Sequence, residues 1–131
     1  MNSKTLIGAV LGGLTLFAAG FVFYVLLLGD YFAADMGRAT PELVFIVAGE
    51  IVMGYLLTRI LSAVGAADIA GGAKAGAMVG FLIALGTGLI EYGASGIMDL
   101  THYLADAAVW AVRYGLAGAV VAWWTGRDAG S

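Results

Sequence analysis

Asp99, His102, Asp106 and Arg113 follow one another at spacings of 3, 4 and 7 residues. On an α-helix those spacings put all four on one face. They occupy the first half of an apolar stretch that continues to Trp124 and reads as membrane-spanning. A charge at mid-membrane costs about 2.5–3.5 kcal/mol on insertion scales. The face that carries them must therefore look at protein or water rather than lipid. Glu50 raises the same problem in another apolar stretch. It is eight residues past Glu42, about 12 Å down a helix in a hydrocarbon core about 30 Å thick.

Four kinds of chemistry are open to such a set. A metal site would use His102 with Asp99, Asp106 and Glu91 near one membrane face. One histidine and scattered carboxylates are a poor donor set beside the several His or Cys ligands of structural sites, so no metal or other cofactor is expected. Catalysis would use His102 and Asp106 as an oriented imidazole–carboxylate pair. No serine or cysteine nucleophile stands at a recognisable spacing, so no catalytic residue is assigned. Transport would use Glu50, Asp106, Arg113 and His102 as a polar route, since intramembrane ionisable groups commonly mark ion, proton or substrate pathways. The fourth option is packing alone, because a buried ion pair can serve only to fix helix register. The last two readings stand nearly level on sequence, with an intramembrane polar centre of Glu50, Asp106 and Arg113 and an outer-face polar group of Glu91, Asp99 and His102.

The elements that must position these residues follow from composition. The chain has 131 residues, 62% hydrophobic and 11% charged. Soluble domains average about 25% charged residues, so an integral membrane protein of one domain is expected. A net charge of −3, small and scattered, excludes a nucleic-acid partner. The chain has no cysteine, so there are no disulfides or thiolate metal sites.

Four spans are predicted, at residues 5–28, 42–62, 73–92 and 101–124. The first runs through Ala18-Ala19-Gly20 without a break, too long for the ~7–15 apolar residues of a cleaved signal. It is read as a retained helix. Gly8 and Gly12 make a close-packing step on it that Ala19 or Gly20 extends, with Gly13 off that face. Thr40-Pro41-Glu42 suits the start of the second span. Arg59 near its far end is an interface anchor. In the third span Gly72, Gly76, Gly80, Ala84 and Gly88 recur every four residues. A ridge without side chains lets another helix approach at backbone contact, so the third span is expected to be the central packing helix. Thr87, Glu91 and Ser95 give its far end a polar edge. Ser95 or Asp99 is a cap for the fourth span, and Trp123-Trp124 marks its exit through the interface.

The fourth span would insert poorly alone. Its aliphatic side chains contribute about −0.3 to −0.6 kcal/mol each, against roughly 5–7 kcal/mol for Asp106 and Arg113 together. It needs partners. Arg113 lies about 18 Å from the outer surface and Glu50 about 12 Å. Side chains tilt toward a helix's N-terminus, so the two groups reach a common level. A Glu50–Arg113 pair is predicted.

Lys4, Arg59, Lys74 and Arg127 fall on one side of the membrane, and Arg38 with Asp30, Asp35, Glu42, Glu91 and Asp99 on the other. The positive-inside rule then places both termini in the cytoplasm.

Residues 19–29, Ala-Gly-Phe-Val-Phe-Tyr-Val-Leu-Leu-Leu-Gly, and the run His102-Tyr103-Leu104 on a helix ending in Trp123-Trp124 resemble a family of small bacterial four-helix membrane proteins, a domain-of-unknown-function family. The Gly72/Gly76/Gly80 ladder fits that family's third helix. Where its pattern has a tryptophan after the first helix, this chain has Tyr31 and Phe32. The resemblance implies a bacterial inner membrane and supplies no activity. The expectation is an all-α, multi-pass four-helix transmembrane bundle, a homo-oligomer in contact with lipid. It passes a small solute or proton, or it serves as a structural or accessory subunit.

Overall fold

The structure, a computed structural model of the chain, describes residues 2–32 and 42–127. The expectations for Asp35, Arg38, Thr40, Pro41 and residues 128–131 lie outside the described residues, as does the side chain of Asp30. The described elements are helical: α1 (Ser3–Phe21) running on into a π-helical stretch (Val22–Leu27), a short α2 (Gly29–Phe32), α3 (Leu43–Ala63), α4 (Ile69–Ala94) and α5 (Leu100–Gly126). The four long rods have 25, 21, 26 and 27 residues and are apolar enough to cross a membrane. Even the shortest spans about 31 Å at 1.5 Å per residue, enough for a ~30 Å hydrocarbon core. Val44, Phe45 and Ile90 are each more than 70% exposed, which suits contact with lipid tails and not with water.

Caps explain the helix starts. Asn2 accepts from the Thr5 amide at 2.9 Å and starts α1. Asp68 accepts from the Gly71 amide at 2.6 Å and starts α4 at Ile69, four residues before the predicted position. Asp99 sits at the N-cap of α5 without a side-chain cap bond. Its carbonyl accepts from His102 and Tyr103 instead. Ser95 belongs to the end of α4, where its hydroxyl donates to the Glu91 carbonyl. Gly65, at φ 73°, ends α3. The Ala66 amide reaches back there to the Leu61 carbonyl at 2.9 Å, a helix-ending pattern that needs the left-handed residue between.

The rods lie in the order α3, α1, α5, α4, each packed along the next, while α3 touches α4 and α5 only lightly. The third span is therefore not the central packing helix, contrary to the sequence expectation. Its glycine ladder serves one partner. A Cβ at Gly72 would meet the Gly118 carbonyl and Ala122, one at Gly76 the Tyr114 carbonyl, one at Gly80 Tyr114 and the Trp110 carbonyl, and one at Gly88 the Tyr103 ring. The ladder deepens a single α4–α5 contact, so α4 stays at the edge. The hub is α5, which buries ten residues against six, four and five in α1, α3 and α4.

The α1–α3 contact has its own glycine crossing, at Gly54 against Gly13 and the Ala9 carbonyl. Gly13 is thus not off the packing face, since a Cβ there would lie 2.6 Å from Ile51 Cα. Beside these crossings Leu16, Leu57, Leu61, Tyr114, Ala117 and Ala122 form a buried core.

Candidate functional site

The site is built on Arg113, 5% exposed on the inward face of α5. Its Nη2 donates to both carboxylate oxygens of Glu50 on α3, at 2.9 and 3.0 Å, and to the Leu16 carbonyl on α1 at 3.2 Å. One nitrogen thereby joins three helices. Gly20 makes the third bond accessible. A helical carbonyl points toward the residue four ahead, so a side chain at position 20 would stand over the Leu16 oxygen. A Cβ there would come within 3.3–3.5 Å of the guanidinium.

Two aromatic rings flank the cation, Tyr24 at 5.4 Å and Trp110 at 5.6 Å from ring centre to Cζ. Both lie within the ~6 Å over which a ring face attracts a guanidinium, and desolvation strengthens the attraction. Trp110 is held by stacking on Tyr114, with centres 5.1 Å apart and planes 7° from parallel. Tyr24 also donates its hydroxyl to Asp106, so it links the arginine to the carboxylate two turns above. The π-helical stretch carries this tyrosine, and π turns inside helices recur at functional positions. Among the described residues, Arg113 Nε finds no acceptor. At the N-terminal end of the same α5 face, the His102 ring stacks on Tyr31 at 4.3 Å, and its Nε2 donates to the Tyr31 carbonyl at 3.1 Å.

The array thus descends from His102–Tyr31 through Asp106–Tyr24 to Arg113–Glu50, and stops there. The next buried side chains on α5 are Tyr114, whose ring stacks on Trp110, and then Ala117, Val121 and Ala122, with Leu57 and Leu61 in the same core. The buried hydroxyl of Thr58 on that side donates to its own helix, to the Gly54 carbonyl at 2.8 Å.

The structure brings Glu50 and Arg113 together and places Asp106 one aromatic side chain away. Glu91 and Asp99 are exposed, and Thr87 and Ser95, on the polar edge of α4, donate to carbonyls of their own helix. Among the described residues, no three His, Asp or Glu side chains are grouped to hold a metal ion. Sequence reasoning missed Tyr24, Trp110, Gly20 and the Leu16 carbonyl as parts of the centre. Trp110 had a signal, standing three residues before Arg113 and so on its face. Tyr24 had only its depth, and a backbone carbonyl has none. Comparison with protein-family models, curated proteins and solved structures finds no match to this chain. The resemblance stated above therefore rests on its short motifs alone.

Proposed function

We propose that this is a multi-pass protein of a bacterial inner membrane, with both termini in the cytoplasm, whose Glu50–Arg113 centre takes up and passes a proton or small polar solute. The observation that carries this reading is Arg113 Nε, a buried donor without an acceptor among the described residues, beside a linked array of ionisable groups. Leaving such a donor unmet costs about 1–3 kcal/mol, more for a charged group, so a water or a polar solute is its natural partner. Glu50 keeps a side-chain exposure of 19%, against 6% for Arg113, and is the member of the pair better placed to exchange a proton. The leucine and alanine packing beyond the pair acts as a closed inner gate.

The same packing favours a second reading, in which the charges only lock α1, α3 and α5 in register. Purified protein in lipid vesicles tests the first reading. Proton or small-solute flux above that of protein-free vesicles is expected, and equality across imposed pH and ion gradients would leave the register lock in its place.

A further inference from the structure

The end of the molecule away from the polar centre has features that the centre does not use. The N-terminus of α1, the α3–α4 connection and the C-terminus of α5 meet there. The Trp124 indole donates to the Lys4 carbonyl at 3.0 Å, Lys4 Nζ lies 4.9 Å from the Trp124 ring centre, and Gly126 is seated on the Ala67 carbonyl. Arg127 lies over Trp123 and Trp124, at 5.2 and 5.6 Å. Indoles and basic side chains in this arrangement suit the head-group level of a bilayer.

Beside this rim, where α3 and α4 touch only lightly, a groove of about 690 Å³ opens, lined by Val64, Ala66, Ala75 and Met78 with Lys74 on its wall. Met78 stands one turn deeper than Lys74 and is 64% exposed. Asp68 also lines the groove, but its carboxylate caps α4 through the Gly71 amide. The exposed cation is thus Lys74, above an apolar floor.

We propose that this groove seats an anionic phospholipid, with its phosphate on Lys74 and an acyl chain along Ala75 and Met78. The groove's size falls in the ~300–1,000 Å³ range of clefts that hold whole small ligands, beyond what a lone ion needs. Its apolar floor and Lys74 match a chain with an anionic head, the Asp68 charge being drawn to the α4 N-terminus by the Gly71 amide. The proposal rests on placement of the helices in a membrane and is independent of what Glu50 and Arg113 do.

The test is native mass spectrometry of the full chain in detergent, titrated with phosphatidylglycerol and phosphatidylcholine of identical acyl chains. Phosphatidylglycerol should be retained about fivefold better, the weight of one lysine near an anionic head group. Lys74→Gln should abolish the preference and Lys74→Arg should keep it. Met78→Trp should reduce retention of both lipids by filling the floor, and excess inorganic phosphate should displace neither. Equal retention of the two lipids by the wild type would overturn the proposal. So would an Arg127→Gln variant that loses the preference as fully as Lys74→Gln, since attraction would then belong to the rim at large. A chain that stays soluble and folded without detergent would instead refute the membrane placement itself.

Discussion

Glu50→Gln, Arg113→Met and the double substitution form a cycle whose outcome the geometry dictates. In the Glu50→Gln variant the guanidinium keeps the Leu16 carbonyl, the Gln oxygen and two ring faces, but loses its counter-charge. Its side chain is 6% exposed, so the charge has little water to turn to. Breaking a buried pair costs about 3–5 kcal/mol, and the retained acceptors put this variant at the lower end. In the Arg113→Met variant a carboxylate is stranded at mid-membrane depth with 19% of its side chain exposed, and the loss should be of similar size. The double variant strands neither charge. Its loss should fall short of the summed single losses by about 0.5–3 kcal/mol, the coupling of groups in direct contact. The assay is reversible unfolding in mixed micelles with increasing denaturing detergent, followed by helix signal and tryptophan fluorescence. A double variant as unstable as the two single losses added would refute the pairing.

The glycine contacts make a paired prediction. Gly76→Ala should destabilise by about 1–3 kcal/mol, because its Cβ would meet the Tyr114 backbone, whereas Gly86→Ala, with nothing within 4 Å, should be neutral in the same assay. Tyr24→Phe should cost about 1.5–3 kcal/mol, the worth of a hydrogen bond to a charged group, while its ring stays against Arg113; no loss would show that Asp106 does not depend on that hydroxyl. Reporter fusions after Ser62 and after Trp124 should report cytoplasm, and a fusion near Ser95 the outside; an external signal at either of the first two would overturn the topology.

Much of the frame was legible because it depends on features that sequence carries directly. Apolar runs long enough for a bilayer mark the four rods, and helical spacing puts His102, Asp106 and Arg113 on one face, whereas Asp99 is the exposed N-cap before it. Depth counting from the N-terminal end of each span brought Glu50 and Arg113 to one level, since both helices start at the same end of the bundle. The role of α4 was not legible. A ladder of glycines records how closely a partner comes, not how many partners there are, and here α5 alone takes it, from Tyr103 to Ala122. The contact of Gly13 with Gly54 was hidden for a related reason. An isolated glycine in α3 makes no repeat, and only a three-dimensional crossing shows why it is there. The π-helical stretch leaves no mark in apolar periodicity, so the turn that carries Tyr24 to Asp106 could not be anticipated. Asp68 as a cap was readable, but the small residues after it resemble a loop as much as a first helical turn.

The double variant also permits the most direct test of the proposed function, because it removes the ionisable groups while sparing the fold. Wild-type protein and the Glu50→Gln, Arg113→Met variant, reconstituted at equal folded density, are compared for proton and small-solute flux under the same imposed gradients. The account predicts wild-type flux well above protein-free vesicles and a variant reduced to that background. A folded variant that conducts as well as the wild type would contradict it, and would leave Glu50 and Arg113 as a packing device.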